Sequence, residues 1–318
     1  MVIRLNDKDL DILKDTGRFN GLSAESIRQV HFAGTTYAWK RLNALYKSGY
    51  LERKYYYTLN QTQNGIKHSQ RIAAIYYLTP KGLKAISLKI DPRYVVPQDV
   101  RLDVHFMISK LYKVLPGLLS KRESMEKYGL KSFMPVTCIY PSTPPVFISI
   151  LGKDSSPWER SNVLSFFKTK IFPGTYAVIS RNFPEEKLLL TDSHFIFWRF
   201  APSIIPKMVQ DKEVFLNQFL NVFEGAKVLA YKEPFVKIQA PGYGVLNIAE
   251  LFSGSTHLML HLMNPSENTC IYIENLSHLG QGVKLEKGSF YVYTREDERF
   301  YEIFIENGKM KAKTIALK

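Results

Sequence analysis

Gly34-Thr35-Thr36-Tyr37-Ala38-Trp39-Lys40-Arg41-Leu42-Asn43-Ala44-Leu45 is the stretch that decides the reading of this chain. At helical spacing Ala38, Leu42 and Leu45 fall on one side, and Thr36, Lys40, Asn43 and Lys47 on the other. One side belongs to a core; the other is available to a ligand. The helix opens at Gly34 or Thr35, and Gly49 supplies its stop.

The flanks give that helix a setting. Upstream, Asn6 starts a first helix, with Leu5 and Leu10 as a hydrophobic staple and Asp7, Asp9 and Asp11 where the helix dipole favours anions. Ser23 caps a second helix from about Ala24 to Phe32, with Leu22 placed to close on Ile27. Downstream, Tyr50 to Leu59 and Arg71 to Leu78 read as strands, and Thr79-Pro80 as an N-cap followed by proline at the first helical position. Helix, helix, hairpin, helix is the order of a winged helix, assigned to residues 1–91. The third helix then enters a major groove, with Thr35, Thr36, Tyr37, Lys40 and Arg41 as contact candidates. The polar tract from Asn60 to Arg71 is the wing, the alternative being a hairpin tip with no ligand. Tyr55, Tyr56 and Tyr57 alternate along a strand and are expected to pack beneath helices.

Charge indicates what the polar side of the helix meets. From Arg28 to Lys89 there are eleven basic residues against Glu52 alone, most of the whole chain's net +14. Cations concentrated on such a unit favour double-stranded DNA, because each lysine or arginine that meets a phosphate releases counterions. A basic surface used for protein contacts is the competing reading. Thr36, Lys40 and Asn43 are expected to approach bases, and Arg41, Arg53, Lys54, Lys67 and Arg71 to hold phosphates. Thr35, Tyr37, Lys47 and His68 complete the candidate set.

The runs Arg41-Leu42 to Leu45, Gly49-Tyr50-Leu51 with Arg53, and Tyr76-Tyr77-Leu78-Thr79-Pro80-Lys81-Gly82 resemble the amino-terminal domain of the replication-relaxation proteins of bacterial plasmids and other mobile elements. Residues 6 to 89 carry the likeness. It implies DNA binding in replication control or conjugative transfer.

Beyond the linker Asp91-Pro92-Arg93-Tyr94-Val95-Val96-Pro97, residues 98–200 read as helix (Leu102 to Leu119), strands (Ser132 to Tyr140, Val146 to Leu151), helix (Trp158 to Phe172) and strands (Tyr176 to Ser180, His194 to Phe200). That order resembles the core of restriction-endonuclease-like nucleases, whose Mg²⁺ needs hard oxygen ligands around the attacked phosphate. Val136 stands where the first carboxylate belongs, and Val146 to Leu151 has no acid. The expectation is therefore a central α/β nuclease-like domain lacking metal-binding acids. An active nuclease with a rearranged site at Glu123, Glu126 or Asp154 is the enzymatic alternative; a winged-helix assembly factor is the other.

Residues 201–240 read as a helical connector with Phe215, Leu216, Phe219, Leu220 and Phe223 at helical spacing. Pro234 and Ala240-Pro241-Gly242-Tyr243-Gly244 mark a boundary, after which residues 241–318 form a small β-rich domain. Its strands are Cys270 to Glu274, Ser289 to Thr294, Phe300 to Ile305 and Lys311 to Leu317, with Glu306-Asn307-Gly308-Lys309 as a hairpin turn. The whole is an α+β chain. His257 and His261 lack a third ligand and are flanked by Leu258, Met259, Leu260, Leu262 and Met263, so a core pair is expected. Gly280-Gln281-Gly282 lacks the third glycine of a dinucleotide loop.

The totals fit this organisation. A chain of 318 residues holds two or three domains, and 45% apolar content with no polar low-complexity run excludes general disorder. Cys138 and Cys270 alone provide neither a disulfide framework nor a four-cysteine metal site. No apolar run approaches a membrane span and Met1 to Asp7 lacks a signal-peptide core, so a cytoplasmic protein without membrane contact is expected. The sequence-level expectation is a non-enzymatic DNA-binding protein of transcription, replication or transfer. It needs no cofactor, metal or catalytic residue and, by analogy with regulators that meet palindromic sites, acts as a homodimer.

Overall fold

Local capping chemistry sets the amino-terminal elements in the computed structural model. The structure describes residues 3–61, 67–87, 101–169, 171–181, 194–198, 201–208, 220–221, 223–232, 235–250, 269–273, 276, 289–294, 297–307 and 309–315. Helix α1 (Asp7–Arg18) opens with a reciprocal box: Asp9 N donates to Asn6 Oδ1 and Asn6 N to Asp9 Oδ2, both at 2.9 Å. Strand β1 (Leu22–Ser23) leads into α2 (Ala24–Phe32), where Ser23 Oγ accepts from Ser26 N at 3.1 Å. Leu22 and Ile27, the expected staple, are both fully buried.

After a left-handed Ala33 and Gly34 comes α3 (Tyr37–Lys47), which ends before a left-handed Gly49. Strands β2 (Leu51–Gln61) and β3 (Lys67–Leu78) pair antiparallel, β1 adds to β3 through Leu22 opposite Tyr76, and the sheet order is β1-β3-β2. Thr79 Oγ1 then accepts from Gly82 N at 3.0 Å to cap α4 (Pro80–Ala85). A Cβ on Gly82 would lie 2.3 Å from the Tyr50 carbonyl oxygen, so only glycine permits this approach. Ile12, Leu13, Ile27, Leu42, Leu45, Leu51 and Leu78 form the core of these elements.

The domain map differs from the expected one. The chain divides into two compact units, Met1–Pro141 with Ile150–Pro157, and Ser142–Ser149 with Trp158–Lys318. Helix α5 (Leu102–Val114), expected to open a second domain, belongs to the first unit. The reason is physical. Ser23 N donates to Ser109 Oγ at 2.9 Å, Ser26 Oγ donates to the Ser109 carbonyl at 2.7 Å, and Leu102 and Phe106 close over Tyr56 and Ile75. Strand β4 (Leu119–Ser120), α6 (Lys121–Tyr128) and β5 (Cys138–Tyr140) follow, where one longer helix and one longer strand were expected. Ser120 and Glu123 form a second capping box. The interdomain linker at 91–97 lies outside the described residues.

The second unit holds most of β6 (Val146–Leu151) and α7 (Pro157–Thr169), with β7 (Thr175–Ser180) parallel to β8 (His194–Phe197) and α8 (Ala201–Met208) after it. A seven-stranded mixed sheet completes it, built from β9 (Lys227–Lys232), β10 (Phe235–Ala240), β11 (Gly244–Glu250), β12 (Thr269–Ile273), β13 (Ser289–Thr294), β14 (Arg299–Glu306) and β15 (Lys309–Ile315). Its strands lie in sequence order, parallel at β11-β12-β13 and antiparallel elsewhere.

This sheet corrects the connector at 201–240 and the boundary at 240–244. Lys227 to Ala240 is strand, and Ala240-Pro241-Gly242-Tyr243-Gly244 is the hairpin turn joining β10 to β11, with Tyr243 N donating to the Ala240 carbonyl at 3.1 Å. Phe223, expected on a helical stripe, is buried against Ile238, Leu246 and Phe300 of this sheet, while residues 209–219 lie outside the described residues. The architecture is mixed α+β, with several separate sheets. Among the described residues no helix is long and apolar enough to cross a membrane.

Candidate nucleic-acid interface

Helix α3 presents the two sides its spacing dictates. Ala38, Leu42 and Leu45 are fully buried, whereas Thr36, Lys40, Asn43 and Lys47 are exposed. Thr35 and Tyr37 are exposed beside them, and Thr36 spends no side-chain hydrogen bond on capping the helix. The same exposed side carries Trp39, 45% accessible, which the helical spacing alone did not single out. Trp39, Asn43 and Tyr46 follow one another at steps of four and three residues and so share a stripe.

Arg41 is engaged within the protein. Its Nε donates to Asp9 Oδ1 at 2.6 Å, Nη2 bonds Asp9 Oδ2, and Nη2 also donates to the Arg4 carbonyl at 3.1 Å. Asp9 is only 1% accessible and already serves the α1 capping box, so its charge requires a fixed cation. The hydrogen bonds to Asp9 hold the Arg41 guanidinium above its ordinary pKa. Arg41 is a clasp between α1 and α3. Two other cations of the basic run are likewise held internally: Arg28 bonds Glu25 at 2.8 Å and the Gly34 carbonyl, and Lys81 donates to the Ser48 carbonyl at 2.7 Å.

The hairpin separates Arg53 from Lys54. Strand alternation puts Lys54 on the side of Tyr56 and Ile75, the side that α5 covers, so the two cations do not serve one surface. On the other side the Arg53 guanidinium lies 4.6 Å from the Tyr46 ring centre and 5.2 Å from that of Tyr55, and Arg71 lies 5.0 Å from Tyr55. Tyr57 meets Tyr55 edge-on at 6.3 Å and is 51% accessible. Arg53 also donates to the Tyr76 hydroxyl, which with the neighbouring phenols raises its pKa. Glu52 faces the α5 side and accepts from Tyr77 at 2.8 Å.

Two of the three tyrosines therefore depart from the expectation of packing beneath helices. Alternation puts Arg53, Tyr55 and Tyr57 on one side, but does not say which side is covered. Lys67 and His68 belong to β3, but their side chains, and the tract 62–66, lie outside what is described.

The alternative catalytic acids do not converge. Arg18 Nε donates to Glu123 at 2.8 Å, Arg122 donates to Glu126 at 3.2 Å, and Asp154 is exposed in the turn after β6. Among the described residues no group of three or more histidines, cysteines or acids is placed to hold a metal. Cys138 and Cys270 are buried, and burial pushes both thiols up. His31 joins Asp15 and Tyr112 in a polar cluster linking α2, α1 and α5. His257, His261 and Gly280-Gln281-Gly282 lie outside the described residues. Compared with protein-family models, curated proteins and solved structures, the chain matches none.

Proposed function

We propose that the amino-terminal module is a winged helix that binds double-stranded DNA with sequence preference. The carrying observation is the exposed stripe of α3, where Thr36, Lys40, Asn43 and Lys47 stand opposite a fully buried apolar side. A helix anchored this way offers short polar groups for base edges and lysines for flanking phosphates. Arg53 and Arg71 on the adjoining hairpin extend the positive surface, each close over a tyrosine ring.

In this reading the protein belongs with the replication-relaxation proteins, and acts in transcription regulation or in replication or transfer of a mobile element. The β6-α7-β7-β8 run is then the remnant of a nuclease-like core, supported by a fully buried β6 without a single acid. It works without catalysis, as a homodimer on a two-fold site. Selection of bound sequences from a random duplex pool tests the proposal. An enriched motif with paired half-sites is expected; retention of no duplex at low salt contradicts it.

A further inference from the structure

Tyr57 is a half-exposed ring at the end of a ladder that runs from α3 onto the hairpin. Tyr46 of α3 is covered by Arg53, Arg53 and Arg71 both lie over Tyr55, and Tyr57 meets Tyr55 edge-on. The residues sharing this side, Arg53, Tyr55, Tyr57, Arg71, Ala74 and Tyr76, include no carboxylate. Phosphate binding alone gives an exposed phenol ring little to do. In a duplex, moreover, each base already has both π-faces covered by its neighbours. The flat faces that complement such a ring belong to bases that have left the stack. Guanidinium planes held against aromatic rings supply the second requirement of such a surface, positive charge along the strand's backbone.

We infer that this side of the β2–β3 hairpin binds an unpaired DNA strand, with Tyr57 stacking on a base and Arg53 and Arg71 meeting its phosphates. The inference rests on the reading of the neighbouring α3 as a duplex-binding helix, and it adds a distinct ligand: a strand opened beside the duplex.

Fluorescence anisotropy of the full chain with labelled oligo-dT, oligo-rU and a random-sequence duplex tests it. Wild type is expected to bind oligo-dT, Tyr57→Ser to weaken that binding about tenfold, and Tyr57→Phe to retain it, because the ring is what stacks. Duplex affinity of Tyr57→Ser is expected to stay within about twofold of wild type, since its removal leaves the α3 surface in place. Absence of oligo-dT binding with duplex binding retained overturns this inference alone. An equal loss of both affinities in Tyr57→Ser also overturns it, because the Tyr57 ring then serves the duplex and not a separate strand. Preference for oligo-rU overturns the choice of DNA, and binding of neither duplex nor single strand overturns the underlying function.

Discussion

The two sides of the β2–β3 hairpin come from one alternating run of residues and end in opposite surroundings. Under α5, Tyr56 is buried with its ring 5.3 Å from that of Phe106, and Ile75 and Leu102 close the patch. On the other side, Tyr55 sits between two guanidinium groups and Tyr57 is half exposed. Period two decides which residues share a side, but a helix more than forty residues away decides which side is covered. One strand thereby contributes both to a core and to a cationic surface.

Substitution separates the two sides most strongly at neighbouring tyrosines. Tyr56→Ala is expected to cost about 3–5 kcal/mol by leaving a cavity under α5, whereas Tyr57→Ala is expected to stay within about 0.5 kcal/mol of wild type. Urea unfolding of both variants checks this, and equal losses would mean that α5 does not cover Tyr56.

A smaller contrast of the same kind holds for adjacent cations on α3. Arg41→Ala strands the Asp9 carboxylate and is expected to destabilise by about 3 kcal/mol, while Lys40→Ala changes stability by less than about 0.5 kcal/mol. Thermal unfolding separates them, and a silent Arg41→Ala would return Arg41 to the surface.

Acid sharpens the description of the covered side. His105 of α5 is held in a desolvated position beside the Phe19 carbonyl, and burial pulls its pKa down from 6.5 to about 4. The unfolded state then holds more protons than the folded one between about pH 6.5 and 4, so stability falls as pH drops through that window. Carboxylates lose their contribution lower down. Burial pushes Asp15 up, but hydrogen bonds from His31, Tyr112 and Arg18 outweigh it and hold the group below its usual range. Its stabilisation is complete above about pH 4 and lost beneath. Denaturant midpoints from pH 7 to 4.5 are expected to decline in wild type and to flatten in His105→Gln; identical slopes would place His105 in solvent.

Features carried by neighbours in sequence were legible. The Asn6, Ser23 and Thr79 caps rest on residues three positions away, and the α3 stripe of Thr36, Lys40, Asn43 and Lys47 follows from helical spacing alone. The Ser120-Lys121-Arg122-Glu123 capping box was equally readable and would have revealed α6. What could not be read depends on distant partners. Arg41 looks like Lys40 until Asp9, thirty-two positions earlier, comes alongside. The break at Ala240 to Gly244 has the composition of both a domain boundary and a hairpin turn, and only pairing of β10 with β11 distinguishes them. The exposure of Trp39 and Tyr57 is a property of what fails to cover them, which no local pattern records.

The proposed function requires that the exposed stripe of α3 meet a duplex. It is tested most directly by the salt dependence of duplex affinity in wild type and in Lys40→Ala/Lys47→Ala. A linear fall of log affinity with log salt is expected, with a slope shallower by about two in the double variant, because each lysine that neutralises a phosphate adds about one to the slope. An unchanged slope, or no duplex binding by the wild type at low salt, would contradict it.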